Sequence, residues 1–567
     1  MINDERRLAI DAPMISVQSQ ETGKNPFINT SLPKVQRTTA GLEPYVGPFG
    51  LEQVLHLLRR TTFGASPADA LVLRPKTCAD AVDTLLTIPP DETTLPLLYS
   101  AGTKETTAIG STWVNAPTND NSGGRTSSLK AWWLSLMLNE QTSLREKMVL
   151  FWHNHFVTAL AITGDPRYGY RYTELLRKHA LGNFKELTQA MSIEGAMLIY
   201  LNGSHNSKAS PDENYARELQ ELFTIGKGPE IGPGDYTNYT EDDVKAAAKV
   251  LTGWRLSPNP DGSIGLANSI FTPGQHDTSN KTFSAHYQNT VINGQTTDGQ
   301  AELNALLDMI FAQPETARFL CRKLYRWFVY YVIDDWTEAN IIEPLAVIFR
   351  TNNYNIIPVL SQLFKSAHFF DPVNMGCVIK NPIDHVVGMF RQFAVSIPDS
   401  GVAVQYPIWL SFVNQAASAQ QNLGDPPDVS GWHAYYQIPE YHELWINSDT
   451  LPKRSKWTTA LATSGFTIAA TKIVIDPIAF INTLSNPGDP NVVINEASQL
   501  LLAVPLTDVQ KTFLKSVLLP GLPDYEWTSE WTTYTGDPTN ATKLAAVKTK
   551  IQSLLSFIMQ MPEYQLM

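Results

Sequence analysis

Along most of the chain, apolar residues recur three and four positions apart, the spacing that gives a helix one buried face. Leu51, Val54, Leu55 and Leu58 begin the pattern, which halts near Gly64 before Ser66-Pro67 opens another helix. Between Leu129 and Phe156 the residues Trp132, Trp133, Leu136, Met137, Leu144, Met148, Leu150, Phe151 and Trp152 predict two apolar helices, divided near Asn139 to Ser143. Tyr170 to His179, Phe184 to Ser192, Asn214 to Ile225 and Glu241 to Trp254 continue the series with short connections. Helical spacing resumes from Glu302 to Tyr331, then in Ile341 to Arg350, Ile357 to Ala367 and Ile383 to Phe393. Three further runs lie near Lys456 to Thr463, Asn495 to Leu501 and Ala541 to Met559. Such a chain folds as a mainly α protein.

Two stretches break the pattern. About 256–299 is rich in Asn, Gly, Ser, Thr and Pro, which suits a long loop or a small β-ribbon. About 398–448 carries many aromatics and prolines and reads as irregular. The expected architecture is a multi-helix array with these two loop or small-β insertions in one large domain over 46–567. Residues 1–45 are polar and aperiodic and read as an extended arm, either free or laid on the body. No internal repeat is visible.

Composition narrows function. The 567 residues are 43% hydrophobic, enough for a large core, and 43 basic against 55 acidic residues give a net charge of −12. Lys and Arg form only loose groups such as Arg171, Arg177 and Lys178, so the concentrated positive surface of a nucleic-acid binder is missing. Cys78, Cys321 and Cys377 lie far apart in no metal-binding pattern. No signal-peptide stretch follows the first residues, and no segment supplies the ~20 apolar residues of a spanning helix. The expected compartment is therefore the cytoplasm, with signal-less export as the alternative.

Five segments carry chemistry. His153 and His155 form a His-x-His pair, which can grip one metal if the helix ends near Asn154. On a continuous helix the two diverge by about 200°, and both are then helix-end residues satisfied by hydrogen bonds. In Asp212 to Gly226, Asn214, Arg217, Glu218 and Glu221 share a helix face, which suits a hard cation or a substrate. A solvated face with a Glu213 to Arg217 pair explains it as well. Thr240 with Glu241, Asp242 and Asp243 reads as a helix cap. His276-Asp277 near Lys281 sits in the Gly/Asn-rich loop, where it is either a site or loop structure. Trp432 and Trp445 belong to an aromatic loop that either stacks on a ligand or anchors itself to the core.

Taken in order, several motifs resemble the bacterial family called domain of unknown function 1800. They are Leu57-Leu-Arg-Arg-Thr-Thr-Phe-Gly64, Phe151-Trp-His-Asn-His155, Asn214-Tyr-Ala-Arg-Glu-Leu219, Leu251-Thr-Gly-Trp254, His276-Asp277 with Lys281-Thr282, Arg322-Lys323-Leu324 and Pro427-Asp-Val-Ser-Gly-Trp432. The resemblance implies a mostly helical fold, frequent export and a sulfatase-like family as a protein partner, with no assigned activity. The missing signal peptide departs from the exported pattern.

Two functions follow as expectations. In the first, a divalent metal held by His153, His155, His276 and Glu221 activates water for hydrolysis of a polymer or conjugate. Glu218 is then the general base, Arg217 the anion clamp, and Asn214, Asp277, Lys281, Trp432 and Trp445 contact substrate. In the second, the protein is a non-enzymatic binding or assembly component that meets a protein partner through the aromatic loop and the arm near Asn25 to Tyr45. Neither a Gly-x-Ser-x-Gly elbow nor a nucleotide-binding glycine motif is present.

Overall fold

The computed structural model describes residues 37–102, 104–117, 121–257 and 269–567. Most of the arm expected over 1–45 and part of the first insertion thus lie outside the described residues. What is described of the arm bonds to the body: the Tyr45 amide donates to the Lys365 carbonyl at 2.8 Å, and the His368 amide donates to Gly41 at 3.0 Å.

The chain is mainly α, as the periodicity implied, with only two-stranded ribbons between helices. Helix α1 (Leu51–Thr61) buries Val54, Leu55, Leu57 and Leu58 together with Arg59 and Arg60. The Arg60 guanidinium donates to the carbonyls of Phe328 and Val329 at 2.8 and 3.0 Å, a cation on the open carbonyl end of another helix. The Leu129 to Phe156 run divides as expected into α2 (Ser122–Asn139) and α3 (Arg145–His155). Both pack against α4 (Pro166–Lys178), which in turn packs with the short α5 (Gly195–Tyr200).

Helix α6 (Asn214–Glu218) passes without a break into a wider π-helical turn, Leu219–Thr224. A π turn leaves backbone groups out of α register, so other groups must satisfy them. Helix α7 (Glu241–Val250) then starts on a capping box in which Thr240 and Asp243 exchange side-chain and backbone bonds, the capping role that the sequence indicated.

The described part of the first insertion holds two antiparallel ribbons, Trp254–Leu256 with Ser269–Phe271 and Lys281–Thr282 with Val291–Ile292. They lead into α8 (Gly299–Phe311) and α9 (Pro314–Phe328). The second insertion differs from expectation. Its first third is a 17-residue helix, α10 (Val402–Ser418), packed along α2. Pro407 inside it obscured the pattern, because proline normally interrupts a helix. Only the part after Ala419 is irregular, with short 3-10 turns at His433–Tyr435 and Tyr441–Trp445. Helices at Asp508–Leu518 and Asp524–Thr535 were likewise not expected.

Candidate functional site

The three histidines expected to hold a metal have other partners. Helix α3 runs through His155, so His153 and His155 leave it in different directions. His153 is fully buried among Trp133, Tyr172 and Trp432, and its Nδ1 donates to the Tyr172 hydroxyl at 2.8 Å. Burial lowers its pKa to about 3, so the ring is neutral, and its Nε2 has no hydrogen-bond partner. The His155 Nε2 donates to the Phe223 carbonyl at 2.9 Å, which leaves Nδ1 to accept from the Lys323 ammonium at 3.2 Å. Its lone pair is spent. The two nitrogens of His276 face the Thr252 carbonyl at 2.8 Å and Glu302 Oε1 at 2.9 Å, so neither is open to a cation. Among the described residues, no group of three His, Cys, Asp or Glu side chains is arranged to hold a metal ion. The expected set of His153, His155, His276 and Glu221 is not assembled, because two of the rings are committed to their own hydrogen bonds and the helix separates the first pair.

These contacts give the motifs structural work. Lys281 and His276 meet on the buried Glu302 carboxylate, with Lys281 Nζ at 2.6 Å from Oε2. Burial alone would raise the Glu302 pKa, but the bonds from His276 and Lys281 hold it below the ordinary value. Asp277 accepts from the amide of Ser279 at 2.8 Å and so closes its own turn. Trp432 and Trp445 are 1% and 4% exposed, which leaves neither indole a face for a ligand. Lys281, Asp277, Trp432 and Trp445 therefore build the fold around these loops, in place of the substrate contacts expected of them.

The motifs nevertheless meet. Lys323, on α9, donates to the Leu222 carbonyl at 2.9 Å, and His155 to that of Phe223, so two motif residues satisfy the π turn after Glu218. Asn154, between the two histidines, accepts through Oδ1 from the Trp432 amide at 2.9 Å. Gly431 makes this approach possible: with φ +97° it adopts backbone geometry that favours glycine, and an added Cβ would stand 2.3 Å from Asn154 Oδ1.

On the solvent side of this junction, Glu218 is half-buried, and no hydrogen bond from a described residue reaches its carboxylate. Burial and the neighbouring Glu221 push its pKa up to about 7, against the opposing pull of Arg217 and Lys227. Tyr200, at the end of α5, is raised to about 12 by burial and by the charges of Asp428 and Glu218, so its phenol stands within the field of both carboxyl groups. Asp428 accepts from His433 Nε2 at 3.0 Å and from the Tyr436 hydroxyl at 2.6 Å. His433 and Tyr436 are exposed.

Arg217 is not a free clamp. It is held bidentately by Glu241, both contacts at 2.7 Å, and by Glu213 at 3.1 Å, the pair its spacing foretold. Glu221 accepts from the Tyr239 hydroxyl at 3.1 Å, and the Asn214 amide donates to Asp212 at 2.9 Å. Of the expected residues, the structure gathers Asn214, Arg217, Glu218 and Glu221 on one helical stretch. Tyr200, Asp428, His433 and Lys323 carry no role in the sequence reading, although Asp428 and Lys323 stand inside its motifs.

Compared with known proteins, the chain matches the family described as Protein of unknown function (DUF1800) over residues 56–566. It belongs to this family. No curated protein and no solved structure matches it. The polar junction of Asn154, Glu218, Lys323 and Asp428 in this DUF1800 chain thus draws one residue from each of four family-like motifs spread over nearly 280 positions, as the residue numbers themselves show. Among the described residues, no helix is long and apolar enough to cross a membrane.

Proposed function

We propose that this DUF1800 protein is a hydrolase whose proton-transfer group is Glu218, acting on a polymer or conjugate laid across the open face between Glu218 and Asp428. The observation that carries this reading is a half-buried carboxyl with no hydrogen-bond partner among the described residues, whose pKa is raised to about 7. Near neutral pH such a group is partly protonated and can hand its proton to a leaving oxygen. Asp428 sits in a different environment, its carboxylate steadied by His433 and Tyr436. Two carboxyl groups in contrasting surroundings are the division of labour that acid-base hydrolysis requires, one giving a proton and the other orienting water or steadying positive charge. The metal-assisted version has less support, since the histidines are engaged elsewhere.

The assembly reading also has less support. The described part of the arm is bonded to the chain's own body, and the two indoles that made the second insertion attractive as a contact surface are buried. The test is turnover of a panel of soluble polysaccharides, aryl glycosides and aryl esters by the wild type and by Glu218→Gln. The expected result is activity on one class with a pH limb near 7, reduced about a hundredfold or more in the variant. Equal activity in both proteins, or none in the wild type across the panel, would refute it.

A further inference from the structure

A concave feature lies at the other end of α5 from Tyr200. It is a cleft of about 590 Å³ between the 88–94 loop, α2, α4 and the start of α5. Its size falls in the usual range of ligand sites, about 300–1,000 Å³. A six-residue helix spans about 9 Å, so α5 joins the cleft to the Glu218 face over a short distance.

The lining decides what can bind. Four basic and four acidic side chains surround the cleft, a parity that favours neither a polyanion such as a nucleotide nor a polycation. These groups interleave as donors and acceptors. Arg171 spends Nη1 on Glu174 Oε2 at 2.6 Å, which leaves its Nη2 and the other Glu174 oxygen without partners among the described residues. Glu92 takes both the amide and the hydroxyl of Thr94 on Oε1, which leaves Oε2 facing Arg145 only at 3.9 Å. Arg177 is fixed by two bonds to buried Glu146, which lies outside the lining, and keeps Nη1. The Tyr170 hydroxyl lines the cleft with no hydrogen-bond partner among the described residues.

Planar charged groups already held by ion pairs lose little freedom when a ligand arrives. A ligand that satisfies alternating donors and acceptors must offer both functions at closely spaced positions. Vicinal hydroxyl groups do so, each being one donor and two acceptors. An extended peptide instead needs a free sheet edge or apolar side-chain pockets. Here the large rings Trp132 and Tyr170 are nearly buried, at 4% and 6% exposed.

We infer that the cleft is a binding site for an uncharged oligosaccharide. The inference rests on the cleft alone and not on the role of Glu218. A carbohydrate seated there would run toward the Glu218 face along α5.

Isothermal titration of the full chain with cellohexaose, maltohexaose and chitohexaose, beside oligogalacturonate, hexaglycine and hexalysine, tests it. The expected result is saturable binding of at least one neutral oligosaccharide. The charge-neutral double variant Arg171→Ala/Glu174→Ala should weaken this binding about tenfold or more, in line with the loss of several hydrogen bonds. Should that variant not fold, Glu174→Gln carries the same comparison, with a smaller drop. No binding of any neutral oligosaccharide at millimolar concentration, tighter binding of the charged sugar or of a peptide, or unchanged affinity in a folded variant would overturn the inference. Since the readout is binding and Glu218 is not in the lining, failure here leaves the hydrolase reading standing, and failure of that reading leaves this one.

Discussion

The buried histidines and the carboxyl face of Glu218 and Asp428 come from different members of the same motif set and are used in opposite ways. His153, His155 and His276 are each buried, and their hydrogen bonds reach Tyr172, the Phe223 carbonyl, Thr252 and Glu302. On the face, Glu218 has no hydrogen bond from a described residue, and Asp428 is held by two exposed side chains. Residue types that chemistry would choose for a metal thus brace the scaffold, and a carboxyl that a stable surface would pair with a cation has no such partner among the described residues. Buried polar groups stabilise a fold only when satisfied, and reactive groups are useful only when they are not.

Breaking the buried histidine contacts should cost more than altering the face. The largest effect is expected for Glu302→Ala, which strands buried Lys281 and His276 and should remove about 3–5 kcal/mol in chemical denaturation. His153→Ala empties a ring-sized space between Trp133, Tyr172 and Trp432 and should cost about 2–4 kcal/mol. Gly431→Ala sets a Cβ against Asn154 on a positive-φ backbone; a loss of about 1–3 kcal/mol is expected, with the Trp432 amide showing faster hydrogen exchange.

On the face, the sign should reverse. A carboxyl that titrates at about 7 folded and near its ordinary 4.5 unfolded binds its proton more tightly in the folded protein. It therefore detracts from stability above pH 7, and the deficit fades as the pH falls from 7 toward 4.5. Glu218→Gln should then stabilise the protein by about 1–2 kcal/mol at pH 8 and by nothing measurable at pH 4, as read from paired melting curves. Arg217→Ala, which breaks partly exposed ion pairs with Glu241 and Glu213, should cost less than about 1 kcal/mol.

How much the sequence revealed follows the same division. Local physics was legible: the α2–α3 break, the Thr240 capping box and the Glu213 to Arg217 pair all follow from spacing along one helix. Pro407 hid α10, because a proline inside a helix imitates a loop. The site was less legible. Glu218 was singled out by its place on a polar face, but nothing in the order of residues says that Arg217 prefers Glu241, or that the charges of Glu218 and Asp428 both reach Tyr200. His-x-His suggested a metal because the residue type permits it; only the tertiary partners of each ring show that the nitrogens of His155 and His276 are already engaged.

The central claim is that Glu218 carries a proton near neutral pH, and NMR titration of ¹³C-labelled glutamate side chains reads it directly. The Glu218 carboxyl is identified as the signal lost in Glu218→Gln. The account predicts a midpoint close to 7 for that signal. A midpoint near 4.5 would mean an ordinary solvated carboxylate and would contradict it.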